Sequence, residues 1–289
     1  MKIILAGATG TIGQAVASEL IAQGHDVVCP LRPGSQIKQP AARALTCQLT
    51  EPGSLRRALG GQRVDAIVSC MATRNGAPAD AWVVEHEAQV SLLMEGAASG
   101  ARHFVLLSAI CVQKPRLAFQ HAKLAFEERL MGSGLDWTIV RPTAFFKSLS
   151  GQVARVQAGE PFLVFGDGQQ TACKPISDRD LARFLVGALT DPKARNAILP
   201  IGGPGPAITP LDQAHRLFDM LDQPPRIRHV PRLFMDVLAG ALGLLRPISP
   251  ALAAKAEFAR TGQYYATESM LVWDAKRGRY DADATPEFG

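Results

Sequence analysis

Three glycines three positions apart, Gly7, Gly10 and Gly13 in "GATGTIG", follow a short apolar run and open a stretch with helical periodicity. Glycines let the backbone turn tightly and approach a pyrophosphate, whose charge a helix N-terminus then stabilises. The loop, with Thr9, Thr11 and Ile12 between its glycines, therefore reads as a dinucleotide cradle rather than a plain strand-to-helix turn. A second candidate lies at "FQHAK", where Phe119 and Lys123 stand four residues apart on a helix predicted from about Arg116 to Met131. Phe119, Ala122, Phe126 and Leu130 fall at i, i+3, i+7 and i+11, the spacing of one buried face. Lys123 lies beside that stripe, one turn beyond Phe119, and can reach inward to a ligand. The alternative is a surface lysine whose stem packs on the stripe.

The elements that must position these residues are legible as alternation. Apolar, β-branched runs recur as "KIILAG" (2–7), "DVVCPL" (26–31), "DAIVSCM" (65–71), "HFVLLSA" (103–109) and "DWTIVRPT" (136–143). Helix-period stretches such as "IGQAVASELIAQG" and "AQVSLLMEGAASG" lie between them, each closed by a glycine suited to a C-terminal cap. The fold class expected is α/β: a Rossmann-type, doubly wound parallel sheet with ligands at the carboxyl ends of its strands. After Pro142 the rhythm changes. Helix signals at Gly151–Ala158, Ser177–Leu189 and Pro210–Leu221 are separated by "GEPFLVFGDGQQ" and "PIGGPGPAITP". Residues 1–145 are taken as the dinucleotide-binding domain and 146–289 mostly as a smaller substrate lobe, with segments such as "AILPIGG" returning to the main sheet.

Strand ends refine the cofactor. A carboxylate at the end of the second strand would take a ribose 2′-hydroxyl, but that region reads "CPLRPGSQIK", with Arg32 at the position and Ser35 and Lys38 behind it. A guanidinium forks onto a 2′-phosphate, so NADPH is expected over NADH; an exposed loop arginine explains less. Gln48 in "CQLTEP" stands where related chains often place an aspartate beside adenine. "SCMATR" closes the strand at 65–71, so Ser69, Cys70, Met71 and Ala72 should line the cofactor groove.

Bulk composition sets outer limits. The chain has 289 residues, 47% hydrophobic and 20% charged, an ordinary globular balance with room for one large core and a small lobe. Its five cysteines are odd in number and lack a C-x-x-C spacing, so they read as small buried hydrophobes in a reducing compartment, with neither disulfides nor a metal site expected. "IILAG" is too short for a signal h-region and "VLAGALGLL" falls short of the roughly 20 residues that cross a bilayer. A cytoplasmic location is expected. Net charge is +5, and the stretch from Arg226 to Arg260 holds six basic residues against two acidic ones. Such a segment suits peripheral contact with an anionic membrane surface or an acidic hydrophobic ligand; a solvated helix face is the commoner explanation. With 6% aromatic residues and no basic run, nucleic acid is not expected.

The reacting end departs from a familiar pattern. Short-chain carbonyl reductases use Tyr-x-x-x-Lys, the phenol protonating an alkoxide and the ammonium holding the nicotinamide ribose, and add a hydroxyl at the end of the fifth strand. Here Phe119 replaces the phenol, and alignment of "FVLLSAICV" puts Ala109 at the hydroxyl's place, with Ser108 one residue earlier and facing the other way if the strand continues. Lys123 is kept. A carbonyl reduction would lose the donors that stabilise its alkoxide.

Three blocks, "LLSAICVQKPRLAFQHAKLAFEERL", "TIVRPTAFFKSLSGQV" and "FGDGQQTACKPISDRDLA", resemble the divinyl chlorophyllide a 8-vinyl reductases of (bacterio)chlorophyll synthesis, atypical members of the short-chain dehydrogenase group. The resemblance runs from the glycine loop to about residue 190. It implies NADPH-dependent reduction of the 8-vinyl group of a chlorophyllide-type tetrapyrrole to ethyl. Hydride would add at the end of a conjugated double bond and the charge would spread into the macrocycle, so no alkoxide forms. The proton could come from water or from a further group. Lys123 would still orient the nicotinamide, as the catalytic lysine, and Phe119 would keep the site apolar. The resemblance also implies that Arg141, Pro142, Thr143, Phe145, Phe146 and Lys147 border nicotinamide and tetrapyrrole, with Phe145 and Phe146 stacking on the macrocycle and Lys147, or an arginine of 226–260, pairing with a propionate. Ordinary core packing of the two phenylalanines is as good a reading of either alone. Two other classes stay open: an NmrA-like regulator that binds NADP without turnover, and an isoflavonoid or ether-type reductase that likewise keeps a lysine alone. The oligomeric state is not readable.

Overall fold

The computed structural model describes residues 1–73, 76–231, 233, 237, 240–243 and 249–288. Arg232, Asp236 and Arg246 of the basic segment lie outside the described residues, as do Leu238, Ala239, Leu244 and Leu245 of "VLAGALGLL". The chain divides into two compact units. The first comprises Met1–Val112, Ala118–Pro142 and Asp178–Leu199; the second comprises Gln113–Leu117, Thr143–Ser177 and Pro200–Gly289.

The first unit is built on strands β1 (Lys2–Ala6), β2 (Asp26–Leu31), β3 (Arg43–Thr46), β4 (Ala66–Ser69), β5 (His103–Leu107) and β6 (Asp136–Pro142). β7 (Phe162–Phe165) lies in the second unit, and β8 (Ala197–Ile201) returns to the main sheet. The order is β3-β2-β1-β4-β5-β6-β8. Pairing is parallel wherever the register is defined, from β3–β2 across to β5–β6. A parallel sheet covered on both faces wants continuous apolar strands rather than alternation. Ile3 through Ala6 and Ile67 through Ser69 are accordingly all buried, with no polar-out phase. Strand order reverses between β1 and β4, which opens the crevice where such sheets take ligands.

The helices obey the same logic. They are α1 (Thr11–Ala22), α2 (Ser54–Leu59), α3 (Pro78–Trp82), α4 (Ala88–Ala98), α5 (Ala118–Met131), α6 (Phe146–Leu149), α7 (Val153–Gln157), α8 (Asp178–Gly187), α9 (Pro210–Met220) and α10 (Pro250–Thr267). A π-helical turn, Val83–Glu87, joins α3 to α4. α1 packs against α8 within the first unit. α2 has a glycine at its N-cap, and the Glu95 carboxylate of α4 takes its place as cap, accepting from the Gly53 and Arg56 amides at 2.8 Å each. α5 begins at Ala118 and buries Ala122, Phe126 and Leu130 as the period predicts, while Phe119, at the open end of the stripe, is only half-buried. The Phe126 ring meets Phe104 of β5 with centroids 5.7 Å apart, which seats α5 on the sheet.

In the second unit β7 pairs in parallel with β9 (Ile227–Val230), and β10 (Val272–Asp274) pairs antiparallel with β11 (Arg279–Asp281). Val156, Phe162, Val164, Ala214 and Phe218 form one core cluster beneath the β7–β9 sheet. α9 starts in a capping box, the Thr209 hydroxyl accepting the Asp212 amide while the Asp212 carboxylate bonds back. "GEPFLVFGDGQQ" is not merely a separator, since it contains β7, and the helix signal at Ser177–Leu189 belongs to the first unit as α8.

Phe126 is 1% exposed and carries the α5–β5 contact. Phe126→Ala is expected to destabilise the protein by about 3–5 kcal/mol, read as a lowered denaturant midpoint at unchanged slope.

Candidate active site

The glycine loop leaves β1 and enters α1 with almost no space to spare. Gly7 has φ +79°, and a Cβ there would stand 2.5 Å from the carbonyl carbon and oxygen of Cys70. A Cβ on Gly13 would overlap the Gly7 carbonyl. Gly10, at φ −76°, is the N-cap of α1 and offers no side-chain cap, and the first turn holds no acidic residue. The loop closes through the Gly10 amide on the Gly7 carbonyl at 3.0 Å and the Gln14 side chain on the Thr9 carbonyl at 2.9 Å. Thr9 is exposed, Thr11 half-buried, and Ile12 and Gly13 buried. A bare helix N-terminus with only main chain before it is the shape a pyrophosphate requires, so these residues fit a dinucleotide.

Around this cradle the first unit gathers several of the residues singled out from sequence. Arg32 directly succeeds β2 and is exposed, its carbonyl held by the Ser35 amide at 3.0 Å. Gln48 lies just past β3, exposed, its amide nitrogen 3.1 Å from the Thr50 hydroxyl. Cys70 and Met71 back the glycine loop at the end of β4, with Ala72 exposed beyond them. Burial pushes the Cys70 thiol up to about 12, opposed in part by the nearby Lys123 charge, so it remains protonated and is no nucleophile.

Lys123 is buried, 7% exposed, and its Nζ lies 2.8 Å from Glu85 Oε2. Glu85, in the π-helical turn, is 2% exposed and also accepts the Thr73 amide at 2.9 Å. Half-buried Phe119 lies beside Gly76. One turn beyond Lys123, Glu127 is buried too. It accepts the Ser108 hydroxyl and a two-pronged contact from Arg141. Ser69 donates to Gln89 at 2.8 Å. Sequence reasoning missed Glu85 and Glu127. Only Glu127 carried a signal, a carboxylate beside the apolar stripe of its helix, which asks for a buried cation.

Pro142 ends β6 buried in the first unit. Thr143 begins the second unit's share of the chain, its amide on the Ile201 carbonyl at 2.9 Å and its hydroxyl on the Lys174 carbonyl. Phe145 is half-buried and bridges to Ile176, Phe146 is 56% exposed, and Lys147 is exposed. The lysines of "CVQKP" and "CKPISD" serve the second unit internally. Lys114 pairs with buried Glu268 at 2.6 Å and stands 4.2 Å over the Trp273 ring, and Lys174 pairs with Glu287 at 2.5 Å. Arg260 lines a crevice with Arg116, Gln263, Tyr264 and Thr267. Among the described residues no cluster is suited to a metal ion, and no helix is long and apolar enough to cross a membrane.

A glycine cradle at the switch point of a parallel sheet, with a buried lysine nearby, defines a nicotinamide-dinucleotide-binding protein of Rossmann type, and residues 7–192 match the NAD(P)H-binding family. The fold is shared with the UDP-glucose 4-epimerase of Thermotoga maritima, with a TM-score of 0.70 at 19% identity, over 79% of this chain and 86% of that one. The chain belongs to the divinyl chlorophyllide a 8-vinyl reductase family. It is 44% identical to the chloroplastic enzyme of Cucumis sativus, covering 100% of this chain and 73% of that one, and 43% identical to that of Arabidopsis thaliana, covering 100% and 74%.

The three glycines should separate on substitution. Gly7→Ala and Gly13→Ala drive a methyl into main chain and should lower the melting temperature by about 10 °C or more. Gly10→Ala has an ordinary φ and its Cβ would stand 3.4 Å from the Gly7 carbonyl. It should fold normally while affinity for the reduced nicotinamide dinucleotide, measured by fluorescence titration, falls about tenfold or more because the backbone can no longer approach the pyrophosphate.

Proposed function

We propose that this protein uses NADPH to reduce the 8-vinyl group of 3,8-divinyl chlorophyllide a to ethyl, as a step of (bacterio)chlorophyll synthesis. The observation that carries the reading is the buried lysine, Lys123, in a cofactor-binding unit whose phenol position is filled by Phe119. Similarity over the whole chain to reductases of this name supports it. Gly7, Thr9, Gly10, Thr11, Ile12 and Gly13 take the pyrophosphate, Arg32 and Ser35 the 2′-phosphate, and Gln48 the adenine. Ser69 to Ala72, Ser108, Pro142 and Thr143 border the remainder. When bound, the nicotinamide would supply the hydride, and the proton that completes the ethyl group would come from water or a further group at the opposite carbon of the vinyl bond.

Lys123 orients the nicotinamide ribose and so aims the reacting face. Phe119 keeps water from that face, and no hydroxyl is needed because the charge that develops is delocalised in the pigment rather than localised on an alkoxide. Phe145 and Phe146 stack on the macrocycle, and Lys147 or Arg260 anchors its propionate; that anchor decides which vinyl group meets the hydride. The protein works in an aqueous compartment, cytoplasmic in the simplest case, and meets its greasy substrate at a membrane surface through the basic segment after Arg226.

Incubation of the purified protein with NADPH and the divinyl pigment, without metal or flavin, should yield a product two hydrogens heavier with the 8-vinyl group converted to ethyl. Unchanged pigment in the presence of folded, NADPH-loaded protein would overturn the reading in favour of an NADP-binding regulator. Arg32→Asp should weaken NADPH by about tenfold or more, since a charge-assisted hydrogen bond contributes roughly 1.5–3 kcal/mol. Lys123→Ala should cut turnover strongly, and Phe119→Tyr should bring no gain.

A further inference from the structure

The π-helical turn Val83–Glu87 inverts the usual burial. Trp82 and Val83 are exposed, at 42% and 38%, while the carboxylate of Glu85 is almost fully enclosed. A helix shaped by packing alone would turn its aromatic and β-branched residues inward and its acid outward. A π turn inserts one residue into the helix and rotates the residues beyond it, and such turns concentrate at functional sites. Here the rotation delivers Glu85 to two donors, Lys123 Nζ at 2.8 Å on Oε2 and the Thr73 amide at 2.9 Å on Oε1. Thr73 is fixed in turn by its hydroxyl on Asp80 at 2.6 Å. Stability does not account for this arrangement, because a buried ion pair is generally no better than an apolar pair of the same volume.

An ammonium has three donors. Among the described residues the only hydrogen bond of Lys123 is to Glu85, which leaves two N–H groups for a ligand and removes the side chain's freedom to swing. The Thr73 contact ties the same carboxylate to the segment beyond Ser69 at the end of β4, the wall of the glycine cradle. Lys123 on α5, Glu85 on the π turn and the β4 end are thereby locked in one register.

We infer that Glu85 is the positioning residue for Lys123: its carboxylate holds the ammonium against the end of β4 so that the remaining donors meet the nicotinamide ribose. The inference rests on the cofactor role given to Lys123 above. Glu85 acts through the lysine and does not itself touch the cofactor, so its effect must vanish when the lysine is gone.

The test is a double-mutant cycle on NADPH affinity, read by fluorescence titration, for wild type, Glu85→Gln, Lys123→Ala and the double variant, with melting temperatures alongside. Glu85→Gln keeps an acceptor for the Thr73 amide and loses only the counter-charge. Each single substitution is expected to weaken NADPH by about tenfold, and the double to be no weaker than Lys123→Ala alone. Turnover should fall in kcat with the pigment KM nearly unchanged, and Glu85→Asp, which keeps the charge one methylene short, should recover part of the loss. Losses that multiply in the double variant, or wild-type affinity in either single variant, would overturn the inference. Should Glu85→Gln fail to fold, Glu85→Asp in the presence and absence of Lys123 gives the same decision: a deficit confined to the lysine-containing background supports positioning, and an equal deficit in both refutes it. Because the cycle is read on cofactor binding, it stands even if the pigment is not reduced, and that result would count against the vinyl-reductase reading alone.

Discussion

Main chain meets main chain where β1 hands over to α1, and that contact fixes the geometry of the first unit. Gly7 lies against the carbonyl of Cys70 and Gly13 against the carbonyl of Gly7, so the loop, the first helical turn and the end of β4 are locked together without an intervening side chain. The sheet supplies the two strands at this point by reversing its order between β1 and β4. Close approach also strips the helix N-terminus of side-chain caps, leaving its positive end to a ligand. One steric constraint therefore sets both the packing of α1 and the place where an anion is welcome.

The second determinant is α5, an amphipathic helix that carries charge into the protein beside its apolar stripe. Lys123 and Glu127, four residues apart, are both buried, and each finds an opposite charge: Glu85 for the lysine, Arg141 for the glutamate. Removing one member of either pair would leave an uncompensated buried ion, the costly case for such bridges. The Glu127 pair also draws in the Ser108 hydroxyl, so the end of β5, the end of β6 and α5 share one network. Lys123 owes its rigid surroundings to this network, since its helix is held by Phe126 on one side and by ion pairs on the other.

Legibility in the sequence depends on how local the determining physics is. β1, β2, β4, β5 and β6 announce themselves as apolar runs because both their faces are covered, and the stripe of α5 because a helix face has a fixed period. β3, with mostly exposed residues at the sheet edge, carries no such run and was not legible. Neither was β7, whose four residues lie between glycines and a proline and derive their strand character from β9, far along the chain. Lys123 and the glycines were visible as residue types at a spacing. Glu85 was not, because a π turn breaks the 3.6-residue phase by which a buried position would be recognised, and its partner lies in another helix. The "CVQKP" and "CKPISD" blocks were visible as family features, but their lysines prove to hold the second unit together through Glu268 and Glu287.

The disposition of hydroxyl groups bears on the chemistry. Ser69, Ser108 and Thr143, all candidates for the cofactor groove, each donate to a protein acceptor: Gln89, Glu127 and the Lys174 carbonyl. Thr73 donates to Asp80. The three tyrosines of the chain, Tyr264, Tyr265 and Tyr280, all fall in the second unit, and Tyr280 donates to Glu268. A carbonyl reductase must present a strong donor to an oxygen whose negative charge grows as hydride arrives. Among the described residues of the first unit, Ser69 and Ser108 are turned inward and the phenol position is occupied by carbon, while Lys123 keeps donors beyond its bond to Glu85. In the ribose-orienting role proposed for it, Lys123 could not at the same moment serve an alkoxide. The arrangement therefore favours a substrate that stores the incoming electron pair in its own π system, and a conjugated vinyl group on a macrocycle meets that requirement.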